Sequence, residues 1–146
     1  MMMIKHHVDI WLRGSSEDLR TMEYLLKGRK VVHAMFIGHL ALEKMLKALC
    51  AVRLVPQEEF FTHNLRLLAQ KAGLWEHLNA DEQAELRNIT TFNIEGRYEE
   101  YKSDFRALCT PKFTKHWAKI IRAWCKRLRP IVLQERALVP NRTPVP

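Results

Sequence analysis

His39-Leu40-Ala41-Leu42-Glu43-Lys44-Met45-Leu46-Lys47-Ala48-Leu49 is apolar enough for the centre of a fold, yet it keeps four polar groups. From Val31 to Leu42 there is no Asp, Glu, Lys or Arg. A helix that is apolar nearly all round is buried on most sides, so each charge it retains needs a partner or an opening to solvent. His39, Glu43 and Lys47 are four residues apart and rise along one helical face, with Lys44 one position to the side. The segment therefore reads as a central helix carrying a polar seam.

Helical periodicity extends outward in both directions, and no segment alternates as a strand. A first helix spans roughly 8–27, with Val8, Trp11, Leu12, Ser15, Leu19, Met22 and Leu26 on one face and a stop at Gly28-Arg29-Lys30. The central helix covers about 31–53 and ends before Pro56. Thr62 is the expected cap of a third helix running to Ala72 and closed by Gly73. Asn79-Ala80-Asp81-Glu82 has the form of a capping box for a short fourth helix to about Ile89. From Thr90 to Thr110 the pattern is irregular and reads as a loop with at most a turn of helix. Thr110-Pro111 opens a last helix along Phe113, Trp117, Ile120, Ile121, Trp124 and Leu128, which Pro130 ends or kinks. The fold class is all-α, an up-and-down bundle of four to five helices. Residues 1–136 form one domain, and 137–146, with three prolines, form a loose tail.

Composition narrows the function classes. At 146 residues the chain is one domain with room for a proper core. No apolar run approaches the roughly 18 residues of a membrane-spanning helix, and the N-terminus lacks the apolar segment of a signal peptide. Cys50, Cys109 and Cys125 are odd in number and form no Cys-x-x-Cys pair, so reduced thiols in a cytoplasmic protein are expected. The seven histidines show no metal-ligand spacing, and neither metal nor cofactor is expected.

The net charge of +8 is unevenly placed: residues 1–104 hold 14 basic and 15 acidic side chains, residues 105–146 hold 10 and one. Lys112, Lys115, Lys119, Arg122, Lys126 and Arg129 follow steps of three and four, which keeps all six on one face of the last helix. Such a stripe suits a phosphate backbone, with affinity that falls steeply as salt rises, and equally suits a solvated, salt-screened face.

Three further groupings have the residue types for ligand binding. Glu43 with Lys44 and Lys47 suits a phosphate-bearing ligand, although spacing alone favours a simple Glu43–Lys47 helix pair. His63-Asn64 opens a helix whose free N–H groups either receive an anion or are capped. Arg97, Tyr98 and Tyr101 follow Gly96 and suit stacking on a base with a phosphate contact, or anchoring of a loop.

Taken together, His-x-Ala-Leu-Glu-Lys-x-Leu-Lys-Ala at 39–48, His63-Asn64-Leu65 and Gly96-Arg97-Tyr98 resemble the HEPN domain, named for higher eukaryotes and prokaryotes and for nucleotide binding. The resemblance spans residues 8–130. It implies a helical bundle, often a homodimer, with the polar seam near a cleft. Members of the family include metal-independent ribonucleases, frequently toxins, and partners of small nucleotidyltransferase proteins in two-gene toxin–antitoxin modules. His39, Glu43, Lys44, Lys47, His63, Asn64, Arg97 and Tyr98 match the pattern. The nuclease members carry an Arg followed by a His after about four to six residues; the corresponding positions after Arg97 are Lys102, Ser103 and Asp104. The resemblance thus implies a module that binds a nucleotide, RNA or a nucleotidyltransferase partner. A ribonuclease with Arg97 as its catalytic candidate is the alternative.

Overall fold

The computed structural model describes residues 3–140. Its elements are α1 (Ile4–Lys27), α2 (Val31–Val52), α3 (Leu65–Lys71), α4 (Ala80–Glu95), α5 (Glu99–Leu108) and α6 (Pro111–Ala137), with single 3-10 turns at Gln57–Phe60 and Trp75–His77. Among the described residues there is no strand, and no helix is long and apolar enough to cross a membrane. Six α-helices replace the expected four to five.

α2 touches every other helix and buries 16 of its 22 residues, which makes it the axis of the bundle. Close approach to it depends on small residues. Ser15 of α1 donates its hydroxyl to the Ala41 carbonyl at 2.7 Å. A Cβ on Gly38 would stand 2.7 Å from Met22 Sδ and 2.9 Å from Ile121 Cδ1, so this glycine is where α1, α2 and α6 meet.

The element missed by periodicity is α5, together with the end of α4. Thr90 and Thr91 return their hydroxyls to the carbonyls of Leu86 and Asn88, and α4 runs on to Glu95 instead of stopping at Ile89. Phe92 then packs on Phe105 at 5.5 Å and edge-on to Trp117 at 5.6 Å, joining α4, α5 and α6 in one aromatic cluster. Phe105 is the buried side chain of α5, so one anchor orders a segment whose other side chains are mostly charged. The helical signal was Tyr98, Tyr101, Phe105 and Leu108 at steps of three and four.

Pro130 does not end α6, which continues to Ala137. Pro130 is exposed, so the carbonyl it leaves unbonded lies on the solvent side, while Leu128 and Val132 are buried on either side of it. The last turn is clipped by charge: Arg53 makes two bonds to Glu135, both 2.9 Å, and Arg136 makes two to Asp9, both 2.7 Å. Of the tail expected from 137, Ala137 closes α6 and residues 141–146 lie outside the described residues.

The caps correct two expectations. Asn64, not Thr62, caps α3, accepting from Leu67 N–H at 3.1 Å, while Thr62 Oγ1 accepts from Asn64 N–H. Asn79 and Glu82 form the expected capping box. α1, α2 and α3 all end in the same hydrogen-bonded pattern, closed by a left-handed residue: Arg29 at φ 59°, Leu54 at φ 62° and Gly73 at φ 74°. Gly28 is not the left-handed residue of the first turn; Arg29 is. A Cβ on Gly73 would meet nothing within 4 Å, so Gly73→Ala isolates the backbone cost. It is expected to destabilise the fold by about 1 kcal/mol in urea unfolding, without a change in the slope of the transition.

Candidate functional site

The polar seam of α2 is closed over by three other segments. His39 is fully buried, and its Nε2–H donates to the His63 carbonyl at 3.0 Å. That bond ties the start of α3 to α2 and leaves Nδ1 bare, 3.9 Å from Glu43 Oε1 and without a hydrogen-bond partner. Burial is the main reason that His39 stays neutral, its pKa lowered from 6.5 to about 4; the charge of Arg97 pushes the same way, while Glu43 opposes.

One turn on, Glu43 is buried between two partners. His63 Nδ1–H donates to its Oε1 at 2.8 Å, and Lys47 Nζ lies 3.1 Å from its Oε2. Lys47 is itself buried, with its ammonium 5.2 Å from the Trp11 ring and 5.8 Å from the Phe61 ring. The Glu43–Lys47 pair is therefore more than a surface helix pair, since two rings and an imidazole enclose it. The outer end of the seam is different in kind. The His63 side chain is 49% exposed, so the imidazole faces solvent with its inner nitrogen held by a buried carboxylate.

The other candidate residues divide. Lys44 faces α1, where it pairs with Asp18 at 2.7 Å and lies against Gly14; it does not join the seam. Asn64 is occupied as a cap. Arg97 is exposed, stacks over Phe36 at 5.5 Å one turn before His39, and stands close enough for its charge to act on His39. Tyr98 is the residue before α5 and Tyr101 is in its first turn, each half-exposed. On α6, Lys112, Lys115, Lys119 and Lys126 are exposed with no ion pair among the described residues, whereas Arg122 pairs with Glu23 and Arg129 bonds Ser16 Oγ at 3.0 Å. Trp11 and Phe61 were not legible as site residues, because each reaches Lys47 from a different segment. Among the described residues no three His, Cys, Asp or Glu side chains gather as a metal-binding group.

The family profile described as the HEPN domain matches residues 8–129, and the chain belongs to that family. No curated protein and no solved structure matches it significantly.

Two outcomes follow from this geometry. Lys47→Met leaves Glu43 buried without its cation and is expected to cost about 3 kcal/mol, whereas Glu43→Gln/Lys47→Met recovers most of that in the same denaturant titration. The unfolded chain protonates His39 near 6.5 and the folded chain only near 4, so the unfolded state binds more protons between those values. The stability that neutral His39 contributes is complete above the upper value and is lost as pH falls toward the lower one, by about 3 kcal/mol. His39→Gln, which keeps a donor for the His63 carbonyl, is expected to flatten the stability-versus-pH curve in that window.

Proposed function

We propose that this HEPN-family chain binds RNA or a nucleotide across the outer end of the α2 seam, with His63 and Arg97 toward phosphate and Tyr98 or Phe61 stacking on a base. The observation that carries the reading is the half-exposed His63 imidazole, fixed from inside by Glu43. Arg97, exposed and close enough to act on His39, supplies a second polar group for an anionic ligand. Exposed rings on Phe61, Tyr98 and Tyr101 are sequence-tolerant stacking surfaces. A protein partner, either a second copy or a small nucleotidyltransferase of a toxin–antitoxin pair, belongs to this reading because the HEPN family implies it.

A second reading, metal-independent RNA cleavage, is favoured by one specific feature. A carboxylate that accepts the Nδ1 proton leaves the other nitrogen of His63 with its lone pair toward solvent, the arrangement of a general base. In that reaction His63 would take the proton of a ribose 2′-hydroxyl as the oxygen attacks the adjacent phosphate, the P–O5′ bond breaks to leave a 2′,3′-cyclic phosphate, and water protonates the departing 5′-oxygen. Arg97 would balance charge on the phosphoryl oxygens. Arg97 and His63 then do together what an Arg and His closely spaced in sequence do in nuclease members of the family.

Both readings are tested in one assay with fluorescently labelled single-stranded RNA in EDTA, followed by anisotropy and by gel, with nucleotides titrated separately. Binding is expected to weaken by roughly 1–3 kcal/mol in Tyr98→Ala and to be lost further in Arg97→Ala. If cleavage occurs, His63→Ala is expected to slow it at least about 100-fold and Glu43→Gln less, since Glu43 only orients the imidazole. Wild-type protein that binds neither RNA nor any nucleotide removes the first reading. Cleavage that survives His63→Ala removes the second.

A further inference from the structure

A cavity of about 650 Å³ opens on another part of the bundle, and none of the seam residues lines it. Its walls are the end of α1, the α1–α2 turn, the first residue of α2 and the first three turns of α6. The floor is aliphatic, made by Leu26, Val31, Pro111 and Ala118. Cys109 adds a thiol that burial keeps protonated, with its pKa raised to about 11, so it brings no negative charge.

Charge is concentrated against this floor. Arg29, Lys115 and Arg122 line the cavity with a single carboxylate, Glu23. Glu23 is taken by Arg122, and Arg29 and Lys115 have no ion pair among the described residues, which leaves an excess of two positive charges. α2 begins beside them with no side-chain cap and no acidic residue in its first turn, so its first N–H groups are unmatched. Arg29 itself sits at φ 59°, a backbone region that glycine adopts more readily than arginine. Leu54 and Gly73 adopt the same conformation at the ends of α2 and α3, so it closes α1 and incidentally sets Arg29 at the cavity. The volume falls within the range of small-molecule sites, about 300–1,000 Å³. No aromatic ring lines it, so a nucleobase would find no stacking face there.

We infer that this cavity binds a small amphiphilic anion, a carboxylate or phosphate head on an aliphatic body, with Arg29 and Lys115 receiving the head and the aliphatic floor receiving the body. The site is independent of the α2 seam and of any RNA bound there.

Calorimetry on the full chain tests it with octanoate and octyl phosphate, both below their micelle concentrations, and with inorganic phosphate and adenosine monophosphate alongside. One of the two amphiphiles, or both, is expected to bind at a single site. Which of them binds distinguishes a carboxylate from a phosphate head, and inorganic phosphate is expected to bind at least about tenfold more weakly for want of the apolar term. Arg29→Gly removes the cation while relaxing the turn, so it tests the site without risk to the fold. Together with Lys115→Glu it is expected to weaken binding at least about tenfold, while Lys126→Glu, on the same helix but outside the cavity, leaves it unchanged. Ala118→Leu is expected to weaken binding by filling the floor. No binding of either amphiphile overturns the inference, as does equal binding by wild type and the Arg29→Gly/Lys115→Glu variant. Adenosine monophosphate that displaces the amphiphiles and binds more tightly than both overturns it too, by excluding an aliphatic body.

Discussion

A carboxylate buried on a helix with almost no free face is the constraint around which the bundle is arranged. Glu43 is held by His63 and Lys47, and Lys47 lies against Trp11 and Phe61. An isolated charge in such a place costs far more than a domain can spare, so the partners have to be present. They arrive from α1, from the residue after the first 3-10 turn, and from the residues leading into α3. His39 completes the arrangement by donating to the His63 backbone, which orients the imidazole whose other edge faces solvent.

The remainder of the fold keeps α2 in position for this. Gly38 lets α1 and α6 approach it, and Ser15 bonds its backbone. The cluster of Phe92, Phe105, Phe113 and Trp117 fastens α4 and α5 to α6, which brings Arg97 over Phe36 on the same side as His39. Paired guanidinium–carboxylate contacts at Arg53 and Arg136 hold the far end of α6. Exposed pairs of this kind contribute little each. Here they act at the end of a long helix beyond Pro130, where the apolar contacts thin out to Val132.

Two faces of the molecule are chemically distinct. The α2 seam ends in a solvent-facing His63 imidazole held by Glu43, with Arg97 near enough for its charge to act on His39. The cavity between α1, α2 and α6 has an aliphatic floor and unpaired cations. The α6 stripe does not act as one unit, because Arg122 is paired at the cavity and Arg129 is bonded to Ser16, while four lysines remain solvated.

The sequence by itself determined that the chain is helical, where most helices begin, and that α2 is central with His39, Glu43 and Lys47 on one face. Those features follow from local periodicity, capping chemistry and the absence of charge over residues 31–42, all of which act within a few turns. It did not reveal α5, since one buried side chain, Phe105, is enough to order that helix only when Phe92, Phe113 and Trp117 are already gathered. It set Lys44 to the side of the seam but did not show the partners: Lys44 reaches Asp18 on α1 and Lys47 reaches Glu43. Tertiary structure alone decided that Trp11, Phe61 and His63 surround Glu43, and that Arg29 and Lys115 share a cavity. The energies that select those neighbours come from burying charge and apolar surface between segments far apart in the chain, and no local pattern records such a sum.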